Sequence, residues 1–348
     1  MGAVEIVRAG EGDAARWDAF VEAAPEATLF HRFGWSRVIA RAYGYEGVNL
    51  MAVAEGRVVG VLPLTDVRSP LLGRSLISTA FTVGGGAAAR DPDVHALLAE
   101  AAEEEGRARR VRYVELRGRP VPIDGWAVKD SVYAGFEKEL PADEGDNLKM
   151  IPRSRRAGVR KGMNAAKEGA FAARFDDDVD GFYRLYANSM RDLGTPIFPR
   201  RFIREISREF DGETEMLFID AGGAPVLSLF TFYFRDRVMP YYFGARPDAR
   251  AHGAYDYAIW LQMRRAAARG ARVFDFGRSK YGSGPFAYKS FWGFEAKPLE
   301  YQYRLIGARE TPNVNPQNPK FAAASSAWKR LPLALANAAG PLLARHLA

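Results

Sequence analysis

The chain has 348 residues, 48% of them hydrophobic and 26% charged, with a formal net charge of +7. That length exceeds one typical hydrophobic core and suits two domains of about 150 to 170 residues, in a globular rather than a disordered or fibrous protein. The chain lacks cysteine, which excludes disulfides, thiolate nucleophiles and zinc–cysteine centres, and the histidines His31, His95, His252 and His346 are too scattered for a metal cluster to be read from their spacing.

The opening MGAVEIVRAGEGD carries acids where a signal peptide needs an apolar core. No run of roughly 18 apolar residues occurs, so a cytoplasmic protein is expected. Trp17, Phe20, Val21 and Ala24, then Trp35, Val38, Ile39, Ala42 and Tyr43, follow the spacing of amphipathic helices. Leu50 to Ala54 and Val58 to Leu64 read as strands joined at Glu55-Gly56-Arg57. Gly84-Gly85-Gly86 lacks the strand-to-helix context of a nucleotide fingerprint and reads as a loop or bulge. A helix through Val94, Leu97, Leu98, Ala101 and Ala102 precedes a strand from Val111 to Leu116.

Between the halves lies KMIPRSRRAGVRKGMNAAKEGAFAAR, Lys149 to Arg174, with eight cations and one acid. Eight minus one equals the excess charge of the whole chain. In a helix, Arg153, Arg156, Arg160 and Lys167 share one face. Such a stripe suits a polyanionic partner, a nucleic acid backbone or a diphosphate. The plainer reading is a solvated linker helix.

The second half repeats the order of the first. Phe182, Leu185, Tyr186, Ser189, Met190 and Leu193 form an amphipathic helix, and Phe202 to Phe210 a second. Strands at Met216 to Asp220 and Val226 to Phe234 flank Gly222-Gly223, and Val238 to Phe243 adds another. Tyr255 to Arg269 is helical up to its cap at Gly270, and Val273 to Phe276 is a strand. The shared order points to duplication of one mixed α/β unit. In RVFDFGRSKYGSGPFAYKSFWGF, a strand ending at Asp275-Phe276-Gly277 leads into a glycine loop and then Lys289, placing an acid and a base near one strand end. Lys289 supplies a charge for an oxyanion or a phosphate; alternatively Asp275 caps a turn and Lys289 is solvated. Asn313 to Lys320 reads as a linker. WKRLPLALANAAGPLLARHLA is apolar with basic edges and either docks on the body or lies at a membrane interface.

Together FHRFGWSRVIARAYGY, IPRSRRAGVRKGMNAAKEG, YYFGA with the later RVFDFG, and Lys289-Ser290-Phe291-Trp292-Gly293 resemble the FemAB (FemABX) family over residues 5 to 305. The tail resembles FemAB-related proteins associated with exosortase and PEP-CTERM systems, which accompany exopolysaccharide gene clusters. The resemblance implies two tandem GNAT-like domains of mixed α/β class. The expected boundaries are 1–148, 149–308 and a linker and tail at 309–348. It also implies a lysine at the reactive centre, matching Lys289, and basic residues of the join that contact precursor phosphates or tRNA. Two departures stand out: the long coiled-coil arm of some members is missing, and a muramyl-peptide pocket cannot be traced.

The expected activity is aminoacyl transfer from aminoacyl-tRNA to an amine or hydroxyl of a cell-envelope or exopolysaccharide precursor, with no cofactor and no metal. Lys289 is expected to act electrostatically and Asp275 to support it or accept a proton. Arg156, Arg160 and Lys161 are expected to bind anions, and Tyr242, Gly277 and Arg278 to line the pocket. The acceptor would be an anionic sugar-nucleotide, lipid-linked or polysaccharide precursor, with peripheral membrane contact through the tail. One alternative donor is acyl-CoA; Arg250 to Tyr255 stands where its pyrophosphate loop belongs, but has Tyr255 in place of Gly or Ala. A non-catalytic scaffold is the other alternative.

Overall fold

The computed structural model describes residues 3–70, 72–118, 122–250, 253–312 and 319–346. Ala251 and His252 of the loop before Tyr255, and most of the linker at 313–320, lie outside them. The described residues form two compact units, one drawn from 1–132, 298–315 and 342–348, the other from 133–297 and 316–341.

The first unit runs β1 (Val4–Arg8), α1 (Ala14–Ala23), α2 (Phe33–Tyr43), β2 (Glu46–Ala54), β3 (Arg57–Ser69), β4 (Gly73–Ser78), β5 (Ala88–Ala89), α3 (Pro92–Ala108) and β6 (Tyr113–Arg117). Trp17 and Val21 on α1, and Trp35, Val38 and Ile39 on α2, are buried, as their spacing predicts. The β2–β3 hairpin closes through Glu55 and Gly56, both left-handed, as a two-residue turn between twisted strands requires. Asp91 starts α3 by accepting the Asp93 N–H at 2.9 Å, with Pro92 in the first turn. The sheet order is β1-β2-β3-β4-β6, completed by residues Tyr301–Leu305 from late in the chain. Val48, Leu50, Leu62, Leu64, Leu76 and Val114 of the sheet pack with Leu98 of α3 to form the core.

The chain passes to the second unit within β7 (Ala127–Glu139). There follow α4 (Glu144–Met150), α5 (Arg153–Lys167), β8 (Ala172–Asp176), α6 (Val179–Leu193), α7 (Arg200–Glu209), β9 (Thr214–Ala221), β10 (Ala224–Phe234), β11 (Arg237–Ala245), α8 (Ala254–Ala268), β12 (Val273–Lys280) and α9 (Gly284–Phe291). Within β13 (Ala296–Leu305) the chain returns to the first unit, before α10 (Pro319–Lys329) and α11 (Leu333–Ala344). The second sheet is ordered β8-β9-β10-β11-β12-β7. In both units an antiparallel meander leads to one parallel pair bridged by a helix, β4–α3–β6 and β11–α8–β12, and then to an antiparallel strand. The repeat of order in the sequence is therefore a repeat of topology.

The tail packs on the body. Tyr45 Oη donates to the Arg345 carbonyl at 2.9 Å, and Arg345 Nη2 donates to the Tyr43 carbonyl at 3.2 Å. Among the described residues no helix is long and apolar enough to cross a membrane.

Candidate active site

Within the second unit, β11 and β12 pair only at Arg237–Val273 and Val238–Phe274. Beyond these, β11 follows β10, while β12 follows β7 from Asp275–Glu137 to Lys280–Tyr133. The parallel strands thus separate toward their carboxyl ends, where ligands bind in open α/β sheets. The β10–β11 ladder slips at Phe230/Thr231, so that Tyr241 is the extra residue, next to Pro240, which has no N–H to give.

The β12 strand does not end at Gly277, as the glycine suggested. It bulges there and runs on to Lys280. Gly277 adopts φ +67°, and its N–H donates to Asp275 Oδ1 at 2.8 Å, which stabilises the bulge locally. Nor does Lys289 stand in a loop: it lies on α9, which Ser283 caps through the Phe286 N–H at 3.3 Å, with Pro285 in its first turn.

The Lys289 Nζ donates to the Arg278 carbonyl at 2.9 Å and sits 5.5 Å from the ring centroids of Phe136 and Phe276. Burial pushes its pKa down to about 7, against the pull of the Asp275 carboxylate. Burial also raises Asp275, against the Gly277 N–H and the Arg237 charge. An amine near neutrality beside a destabilised carboxylate can stabilise negative charge and exchange a proton at physiological pH. Lys280, beside the Tyr133 ring, is likewise lowered by burial to about 8.

Helix α5 lies against α8, and the contact depends on two glycines one turn apart. A Cβ on Gly158 would meet Asp256 Oδ2 at 2.0 Å, and one on Gly162 would meet Tyr257 Cβ at 2.5 Å. The packed face carries Gly158, Val159 and Gly162, so Arg153, Arg160 and Lys167 project to solvent and Arg156 is half-buried. No carboxylate among the described residues pairs with Arg153, Arg156 or Arg160. Arg155 instead points inward: its Nη1 is 3.8 Å from Asp256 Oδ2, and its guanidinium lies 5.7 Å from the Tyr288 ring and 5.4 Å from that of Phe291.

The structure brings Lys289, Asp275, Gly277 and Arg278 together. Arg156, Arg160 and Lys161 share the helix that packs on α8. Tyr242 is buried among Tyr186 of α6, Phe198 and the β10 residues Phe230 and Phe232. Lys280, Asp256 and Tyr288 escaped the sequence reading. The G-x-x-x-G spacing of Gly158 and Gly162 was a readable signal for the close helix contact that buries Asp256.

Residues 153–290, from the first residue of α5 to just past Lys289, match the family described as acetyltransferase (GNAT) domain. No curated protein matches the chain. Among solved structures, FemX superposes with a TM-score of 0.69 at 13% identity, covering 87% of this chain and 98% of FemX. L-PGS from Bacillus licheniformis gives 0.54 at 11%, covering 92% and 98%. The tandem GNAT protein from the clavulanic acid biosynthesis pathway gives 0.53 at 12%, covering 88% and 100%. The fold is that of tandem GNAT proteins. At these identities the likeness to solved structures is one of fold, and the acyltransferase domain assignment rests on the match of residues 153–290.

Proposed function

We propose that this protein moves an aminoacyl group from aminoacyl-tRNA to an amine or hydroxyl of a cell-envelope or exopolysaccharide precursor. The observation that carries the reading is Lys289, held near neutrality on α9 against β12 just past the point where β12 parts from β11, in the unit that also bears the solvent-facing cations of α5. The acceptor's nucleophile attacks the ester carbonyl, and the carbonyl oxygen becomes an oxyanion facing the Lys289 ammonium. The ester C–O bond then breaks, an amide or new ester forms, and the proton lost by the nucleophile passes by way of Asp275 to the departing ribose oxygen. Arg156, Arg160 and Lys161 hold donor or acceptor phosphates. The resemblance of the tail to exosortase-associated proteins supports the exopolysaccharide acceptor. The exposed Leu335, Leu342 and Leu343 of α11 support work at the inner membrane face, which co-sedimentation with vesicles tests.

A second reading, with acyl-CoA as donor, draws on the acetyltransferase-domain match and on α8 starting beside the parting strands. Against it, Tyr255 stacks on Phe243 at 4.9 Å in the first turn of α8, filling space that a pyrophosphate loop leaves open. Calorimetric titration separates the two. Charged tRNA should bind, and tight binding of acetyl-CoA without tRNA overturns the primary reading.

A further inference from the structure

One half-buried cluster in the second unit is left unused by the proposed reaction. Asp256, in the first turn of α8, accepts a hydrogen bond from Tyr288 Oη at 3.2 Å on one carboxylate oxygen. The other oxygen faces Arg155 at 3.8 Å and packs where Gly158 has no side chain. Burial raises the Asp256 pKa, against the Arg155 charge and the Tyr288 and Trp292 side chains, which favour the charged carboxylate. Tyr288 immediately precedes Lys289 on α9. Its ring lies 6.2 Å from Phe276, the same ring that Lys289 Nζ overlies. Helix α9 spans eight residues, Gly284–Phe291, and none of them is fully buried. A helix so short gains little hold from its own propensity, and beyond the packing of Phe286 and Tyr288 on the core it depends on specific ties.

We infer that Asp256 and Tyr288 are positioning residues for Lys289, and that Arg155 links the basic helix α5 to them. The inference rests on the proposed role of Lys289. The Tyr288–Asp256 hydrogen bond fixes the rotation of α9 on β12, and that rotation sets how far Lys289 Nζ is held against the Arg278 carbonyl and away from water. The charged groups facing Lys289 are Asp275 and Arg278, both on β12. Those facing Asp256 are Arg155 from α5 and Tyr288 from α9. With the tie cut, α9 loosens, water reaches Nζ, and the lysine returns toward its ordinary basicity.

The test uses the full chain carrying 13C-labelled lysine, with the Lys289 signal assigned through Lys289→Arg. In Tyr288→Phe, which keeps the ring and removes the hydroxyl, the Lys289 titration midpoint should rise by about one pH unit or more. Asp256→Asn should move it in the same direction. Transfer by Tyr288→Phe should fall about tenfold in kcat with KM within about twofold, since alignment rather than binding is lost. An unmoved midpoint in both variants, at unchanged melting temperature, overturns the inference. A fall in kcat without movement of the midpoint also overturns it, because Tyr288 would then act on the reaction itself. The titration needs no turnover, so it decides the positioning role even if aminoacyl transfer by Lys289 fails its own test.

Discussion

The two units meet one topological problem and resolve it in opposite ways. In the first, β4 and β6 pair in parallel at Ser75–Tyr113, Leu76–Val114 and Ile77–Glu115. Past that point the chain fills the gap with its own residues. The Arg117 N–H donates to Ser78 Oγ at 2.8 Å, Arg117 Nη1 to the Thr82 carbonyl at 3.1 Å, and Gly85 N to the Arg117 carbonyl. His31 Nε2 meets the Gly86 carbonyl at 3.0 Å and Trp35 Nε1 donates to that of Ala80 at 3.1 Å. Thr79 and Phe81 are forced to φ +40° and +69°, conformations that cost bulky residues energy and persist only where the surroundings impose them. Arg117 Nε and Glu115 Oε1 are paired at 2.6 Å, both buried. In the second unit Lys289 lies against β12 just past its parting from β11, with the Arg278 carbonyl, two rings and the Asp275 carboxylate for company. One fork is closed by a hydrogen-bonded charge pair, and beside the other an amine is desolvated with no carboxylate in direct hydrogen bond. Burial compensated only in part marks chemistry rather than stability.

The sharpest way to break this contrast is Lys289→Ala. Transfer should fall by about two to three orders of magnitude in kcat, the scale of losing an oxyanion partner, with no loss of melting temperature at pH 7. Full retention of transfer would sink the mechanism. Next comes Glu115→Gln, which takes the carboxylate charge from the buried Glu115–Arg117 pair in the first unit. Denaturant unfolding should show a loss of about 3 to 5 kcal/mol, as for other broken buried pairs, while kcat of the folded fraction is kept. Gly162→Val should cost about 1 to 3 kcal/mol by driving α5 off α8. Loss of tRNA binding beyond that expected from unfolding would place α5 in the binding surface. Arg156→Ala with Arg160→Ala should leave stability near that of the parent. The salt dependence of tRNA binding should drop by about 1.5 in slope, two phosphate contacts' worth, in titrations at several salt concentrations.

The smallest effect is one of pH. The folded chain gives up the Lys289 proton near pH 7, whereas the unfolded chain keeps it up to about 10.5. The unfolded state therefore holds more protons across that window, and this group makes stability rise with pH there. In Lys289→Met the rise in melting temperature between about pH 7 and 9 should flatten. Lys280, at about 8, supplies the part that remains.

Much of this was legible in the residues, and the gaps have physical causes. The amphipathic helices and hairpins announce themselves through spacing and turn chemistry, and the pattern order revealed the duplication. Strands β1, β4, β5, β7, β8 and β13 were missed because their neighbours in the sheet, rather than apolar alternation, hold them in place. Helix α9 was readable: Ser283 followed by Gly284 and Pro285 is a cap with a proline in the first turn. The glycines around it argued for a loop instead. Asp256 and Tyr288 were invisible, because their meaning arises only where α5, α8 and α9 converge. The stripe of Arg153, Arg156, Arg160 and Lys167 emerged as the outer face of α5, whereas Tyr242 proved to be an aromatic core residue.

The crossing of the chain between units has a consequence for synthesis. β6 finds its partner only when Tyr301–Leu305 arrive, roughly 190 residues later. A nascent chain therefore carries the first unit with one sheet margin bare while residues 133–297 of the second unit are being made. Such unpaired margins invite pairing with other chains, and closure over so long a separation is slow. The molecule is thus completed from the outside in: the second half must emerge before the first can finish, and neither half cut at the basic segment inherits a whole sheet.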